Sequence, residues 1–243
     1  MNIEAVLAEV VEELSWVDPP PVFIGGATIG LFLDEFGRSQ LRGTKDVDCI
    51  VPAVLTAMDW FGLEAQARSR GWTPDRDGPI CRYISPKGHM VDLLAARPEV
   101  QGFTGTWFGA AVAHAERRLL SDGSAVMVPA VPWLLACKIE AFEDRGRRDP
   151  LASTDFEDII AILDGCARAE GEIIGADPAV RALIGTWCAA VLQSRDLGEA
   201  AEGHLPRGLD DAGRRMRLRG LLGRLTTLKE LASPPTSPLR RQG

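Results

Sequence analysis

Two aspartates, Asp46 and Asp48, stand one residue apart inside the otherwise apolar run Asp46–Val51, DVDCIV. Side chains on a β-strand alternate between its faces with period two. A strand over Asp46–Val51 therefore aims both carboxylates to one side, while Val47 and Cys49 enter the opposite layer. Adjacent carboxylates repel, and holding them together is costly unless a cation sits between them. A hard divalent ion such as magnesium takes oxygen ligands and is typically shared with substrate phosphates. An Asp-x-Asp pair on a solvated edge strand would need no ion, so the surrounding sequence has to decide.

Upstream, Val22–Gly25 reads as a short apolar strand, and Ala27–Phe36 has helical spacing that ends at Gly37. Gly25 and Gly26 thus fall at a strand-to-helix junction. Glycines there let backbone N–H groups approach a ligand, and a helix N-terminus favours an anion; the same pair also reads as plain turn chemistry. The polar loop Ser39–Lys45 carries Arg42, Thr44 and Lys45. Downstream, Cys81–Ser85 and His89–Ala95 flank Pro86-Lys87-Gly88, a hairpin signal. Asp92 lies in the second run, between Val91 and Leu93, where a charge needs a partner. On a strand beside the first it faces Asp46 and Asp48 and completes a triad of carboxylates.

The remaining pattern is mostly helical. Residues 3–17 carry the stripe Val6, Val10, Val11 and Leu14 and are stopped by Asp18-Pro19-Pro20-Pro21. Leu55–Gly71 reads as a helix with Gly71 as its C-terminal stop. A strand over Val126–Val131 leads to Pro132, suited to a first helical turn, and to a helix over Trp133–Arg145. Thr154–Leu163, Ala179–Leu192 and Asp211–Leu231 are further helices. Ser233–Gly243, with three prolines, reads as a disordered tail. The expected fold is α/β, a mixed sheet flanked by helices and followed by a helical C-terminal part. The divisions fall at 1–131, 132–232 and 233–243.

Composition excludes several classes. No apolar run approaches the length of a transmembrane helix, and the acidic, amphipathic N-terminus is neither a signal nor a transit peptide. The five cysteines are scattered in apolar contexts without metal-ligand spacing, as expected of buried thiols in a reducing cytoplasm. The three histidines are far apart, which argues against zinc. Net charge is −7, yet residues 195–243 hold ten Lys/Arg against six Asp/Glu. Arg214, Arg215, Arg217, Arg219, Arg224 and Lys229 make this a candidate polyanion surface. No aromatic residues interleave for base stacking, so a solvated helix face is the preferred reading.

A second cluster lies in KIEAFEDRGRRDPLASTDFEDII: Lys138, Arg145, Asp155 and Asp158. Seven residues, two helical turns, put Lys138 and Arg145 on one helix face, and Asp155 and Asp158 share another. Cations near a carboxylate site would neutralise phosphates, with the Asp pair orienting them; ordinary helix-surface ion pairing is the alternative.

Taken together, Gly25-Gly26, Thr44-x-Asp46-x-Asp48 and the isolated Asp92 resemble the polymerase-β-type nucleotidyltransferase superfamily. The K-x-x-A-x-x-x-R…D-x-x-D block resembles its abortive-infection branch, the AbiEii/AbiGii-type toxins of type IV toxin–antitoxin systems. The resemblance covers about residues 20–165; beyond 166 the chain matches no pattern of that branch. The resemblance implies a nucleotidyltransferase-type sheet and the transfer of a nucleoside monophosphate from a nucleoside triphosphate to a hydroxyl of tRNA or protein. By the same resemblance Asp46, Asp48 and Asp92 would be catalytic and would bind magnesium or manganese. Gly25, Gly26, Thr28, Arg42, Thr44, Lys138, Arg145, Asp155 and Asp158 would serve the nucleotide, and an antitoxin would be a partner. The superfamily often has Gly-Ser where this chain has Gly25-Gly26. Two rival readings stay open: a nucleotidyltransferase acting on small molecules such as antibiotics, and a non-catalytic binding protein or antitoxin on the same fold.

Overall fold

The computed structural model describes residues 2–102, 105–208 and 210–228. The expected tail, Lys229 and the end of the last helix lie outside these residues.

The chain opens with α1 (Ile3–Glu13), whose Val6, Leu7 and Val10 are buried. It is shorter than the expected 3–17, ending before the proline run. Next come β1 (Val22–Ile24), a 3-10 turn (Gly26–Leu31) and the short α2 (Glu35–Ser39). The expected single helix over 27–36 is therefore broken. Asp34 caps α2, its Oδ1 accepting from Gly37 N at 2.7 Å, so Gly37 lies inside a helix rather than ending one. β2 (Asp46–Val51) has the predicted bounds, and Val47 and Cys49 are buried as the alternation required.

α3 (Ala57–Ser69) starts in a reciprocal cap between Thr56 and Asp59 and ends before Gly71, at φ +86°. β3 (Thr73–Pro74), β4 (Arg82–Ile84) and β5 (Met90–Ala95) follow, with Gly88 at φ +88° in the hairpin turn. α4 (Phe108–Ala113) and β6 (Ala115–Leu119) lack a periodic signal and were not expected; β7 (Ala125–Pro129) was.

The strands form one seven-stranded mixed sheet in the order β3-β4-β5-β2-β1-β7-β6. β2 runs parallel to β5 and β1 parallel to β7; every other neighbouring pair is antiparallel.

The helical part comprises α5 (Val131–Ala141), a π-helical turn (Phe142–Gly146), α6 (Thr154–Gly165), α7 (Ala169–Gly175), α8 (Pro178–Gln193), α9 (Arg195–Gly203) and α10 (Asp211–Thr226). Ser153 caps α6, its Oγ accepting from Phe156 N at 3.3 Å. One apolar core runs from Val6 on α1 through the sheet to Leu225 on α10. Val131 through Ile139 of α5 are all buried, so α5 is the internal helix that joins sheet to bundle. The five cysteines are free and buried. No helix among the described residues is long and apolar enough to cross a membrane.

Candidate active site

The sheet register builds the site. Ile24 on β1 pairs with Asp48 on β2, Asp48 with Asp92 on β5, and Asp92 with Arg82 on β4. Residues paired across neighbouring strands present their side chains on the same face. The four therefore form one row across four strands. Asp46, two residues before Asp48, shares that face. The expected meeting of Asp46, Asp48 and Asp92 is thus a consequence of the β2–β5 pairing.

The three carboxylates are in different states. Arg82 Nε donates to Asp92 Oδ1 at 2.7 Å, and its Nη2 donates to Asp92 Oδ2 at 2.8 Å and to Asp46 Oδ2 at 2.7 Å. The hydrogen bond to Asp92 holds the guanidinium pKa above its ordinary value. Asp46 also accepts from Thr44 Oγ1 at 3.3 Å. Asp48, in contrast, has no donor on its carboxylate among the described residues. Burial raises its pKa to about 7, and the charges of Asp92 and Asp46 add to that, while Lys138 and Arg145 oppose it. Gly25 makes room for this carboxylate: at φ +80°, a Cβ there would collide with Asp48 Oδ2.

Facing the carboxylates is the second cluster. Lys138 is buried, with Nζ 3.1 Å from Asp155 Oδ1 and 2.6 Å from Asp158 Oδ2. Burial alone would lower its pKa; the two aspartates outweigh burial and the net shift is upward, so the ammonium stays charged. Arg145, in the π-helical turn, donates from Nε to Asp155 Oδ2 at 2.9 Å while its side chain remains 69% exposed. Asp158 is shared with Arg42, whose Nη2 is 3.2 Å from Oδ1; Arg42 Nε lies 2.9 Å from Glu157 Oε2, off hydrogen-bond geometry. Asp155 and Asp158 are themselves buried. They pin three cations, and the orienting role expected of one of them falls to both.

Gly25, Asp48, Asp92, Lys138, Arg145 and Asp155 line one cleft of about 410 Å³, with Ile24, Leu94 and Phe108 as apolar wall and Glu140 and Asp144 at its margin. Gly26, Arg42 and Thr44 line a separate cavity of about 370 Å³ beside α1. Thr28 reaches neither. It is fully buried and its hydroxyl donates to Gly25 O at 3.0 Å, which shapes the glycine turn. The twelve sequence candidates are thus divided: six face the cleft, three face the neighbouring cavity, and Asp46, Asp158 and Thr28 are held by other residues.

Arg82 is the residue that the sequence reading missed. The signal was there: a tight hairpin around 86–88 forces residue 82 opposite Asp92. Cys81 and Cys137 also line the cleft, but burial pushes both thiols up to about 12, which keeps them neutral and poorly nucleophilic.

Three carboxylates on neighbouring strands are the hard oxygen donors a divalent ion takes, and in kind they fit magnesium or manganese. As arranged, however, no group of three or more metal-ligating side chains among the described residues is set to hold a metal ion. The Arg82 guanidinium already binds two of the three carboxylates.

On α10 the arginines are engaged by carboxylates: Arg214 with Asp164, Arg217 with Asp210, Arg219 with Glu202 and Arg224 with Glu170. Arg217, Arg219 and Arg224 form the solvated, ion-paired face that the lack of aromatics favoured, whereas Arg214 is largely buried against Asp164 and Phe36.

No family model and no curated protein sequence matches the chain. Among solved structures it is similar to one described as "putative nucleotidyltransferase from H. pylori", at 11% identity and a TM-score of 0.43, over 96% of this chain and 97% of that one. A likeness of that size bears on neither the site nor its chemistry.

Proposed function

We propose that the protein is a nucleotidyltransferase that moves a nucleoside monophosphate from a nucleoside triphosphate to an acceptor hydroxyl. The observation that carries this reading is the unpartnered Asp48 carboxylate. Asp48 and Asp92 line a cleft that Lys138 and Arg145 also line, and Asp48 feels the charge of both cations. A row of carboxylates facing a pair of oriented cations suits a polyphosphate placed between them. An ammonium has three donors, so Lys138 keeps one after its two aspartates. Arg145 keeps most of its planar fork in solvent, and a fork held by one carboxylate is preorganised for phosphate oxygens. Gly25, without a Cβ, makes room for the Asp48 carboxylate at the cleft.

In the reaction the acceptor oxygen attacks the α-phosphorus, the bond to the bridging oxygen breaks and pyrophosphate leaves. The hydroxyl proton passes to a carboxylate of the triad. Magnesium or manganese held by Asp46, Asp48 and Asp92 would supply neutralisation of phosphate charge. Most of the catalysis in such a transfer is positioning and electrostatic stabilisation.

What supports a toxin role, with tRNA or protein as acceptor and an antitoxin as partner, is the Lys138, Arg145, Asp155 and Asp158 block and its resemblance to the abortive-infection branch. A second reading, a small cationic acceptor, is favoured by Glu140 and Asp144 at the cleft margin and by the carboxylate pairing of the α10 arginines. Both are tested by incubating the protein with each labelled triphosphate, magnesium or manganese, and total RNA, total protein or aminosugars in turn. The labelled pool identifies the acceptor class. If no triphosphate raises the melting temperature and no pool is labelled, nucleotidyl transfer is rejected.

A further inference from the structure

We propose that Arg82 is the resident counter-ion of the carboxylate row, and that a divalent cation enters the site by displacing it. The inference deepens the reading above and rests on it in one respect, that the carboxylates are a cation seat. Arg82 makes three hydrogen bonds, two to Asp92 and one to Asp46, all between 2.7 and 2.8 Å. It thereby uses an oxygen of Asp46 and both oxygens of Asp92, on the face that Asp48 shares through the β2–β5 register. Asp48 takes no hydrogen bond from Arg82, nor from any other described residue, so the guanidinium engages two of the three carboxylates.

As placed, the fork bonds two of the three carboxylates, whereas a metal ion with six or more oxygen ligands can take all three. Arginine stays charged at any working pH, so a metal and Arg82 in the same seat repel each other. The guanidinium must leave for the ion to enter. Arg82 sits on the short strand β4, next to the edge strand β3, with its side chain already 20% exposed. Its exit therefore needs a rotamer change and no rearrangement of the sheet. The consequence is a site with two exclusive occupants. Arg82 keeps the row compact and soluble in charge, and it sets a threshold that free metal has to exceed.

The experiment measures Mn²⁺ binding by calorimetry without nucleotide, on wild type, Arg82→Gln and Arg82→Lys. Arg82→Gln removes the competing charge and is expected to bind Mn²⁺ at least about tenfold more tightly than wild type. Arg82→Lys, a charge without a fork, is expected to fall between. Equal or weaker binding by Arg82→Gln overturns the proposal, because Arg82 would then serve to orient the ligands. Should the variants fold poorly, the wild-type chain supplies the second readout. Phenylglyoxal modification of Arg82, followed by peptide mass, is expected to accelerate severalfold at saturating Mn²⁺. An unchanged rate overturns the proposal as well. The outcomes are separable from those for nucleotidyl transfer: tighter Mn²⁺ binding by Arg82→Gln in a protein that no triphosphate stabilises and that labels no acceptor pool would uphold the counter-ion and reject the transferase.

Discussion

Gly25 and Asp48 are a matched pair: the carboxylate of Asp48 occupies the space that a side chain on residue 25 would need. Gly25 is also at φ +80°, where side-chain-bearing residues are strained. Strand β1 ends one residue earlier and pairs Ile24 with Asp48, so the two residues are locked in register by the sheet. Gly25→Ala is expected to lower stability by roughly 2–3 kcal/mol, from strain and from displacement of Asp48. Urea denaturation checks this. A loss below the strain of the φ angle alone would mean that Asp48 moves aside freely.

The state of Asp48 makes stability depend on pH. Its folded pKa is raised to about 7 from an ordinary value of 3.8. Between those values the folded chain holds a proton that the unfolded chain has released, so the stabilising contribution is full below about pH 4 and is lost as pH rises towards 7. Asp48→Asn, which needs no proton, is expected to be more stable than wild type at pH 8 by about 2 kcal/mol, allowing for solvent in the cleft, and no more stable at pH 4. Melting curves of both proteins across pH 4–8 are the measurement. Parallel curves would show that Asp48 ionises normally.

Lys138 is expected to be structural as well as functional. It is buried between Asp155 and Asp158, which are buried too. Removing one member of such a network leaves charge uncompensated and costs about 3–5 kcal/mol. Lys138→Ala is therefore no fold-neutral probe of phosphate binding. A guanidinium chloride titration should find Lys138→Ala strongly destabilised, and a midpoint within error of wild type would contradict the network.

Arg145 is the cleaner probe of phosphate binding. Its side chain is 69% exposed and its one carboxylate partner keeps Lys138. Arg145→Ala should change stability by less than about 1 kcal/mol. If the transferase reading holds, it should also weaken triphosphate binding about tenfold or more, with Arg145→Lys giving incomplete recovery because a lysine cannot fork. Calorimetry with a non-hydrolysable triphosphate tests this. Wild-type affinity in both variants would return the cluster to ordinary ion pairing.

Some of this was legible in the residues themselves. The alternation in Asp46–Val51 assigned its strand and the shared direction of Asp46 and Asp48, because side-chain period is a local property of extended chain. The hairpin around Gly88 and the isolated charge of Asp92 were equally local. The sequence also grouped Lys138, Arg145, Asp155 and Asp158 by helical spacing.

Other features depended on the assembled sheet and bundle. That β2 lies parallel to β5, bringing Asp48 to Asp92, is a pairing across more than forty residues of chain that no periodicity encodes. The antiparallel β4 delivers Arg82 to Asp92 on neighbouring β5, as the hairpin requires, and also to Asp46 on β2, two strands away, which hairpin spacing alone does not predict. Local spacing likewise placed Lys138 on a helix face but not inside the core. α5 is buried along nearly its whole length because α6 and α8 pack on it, and α6 supplies the two aspartates that hold Lys138. Chain-local physics determined which residues point together. Long-range packing decided which charges are paired, which are buried, and that Asp48 alone of the triad has no donor among the described residues, because those properties belong to the neighbours a side chain meets and not to the segment that carries it.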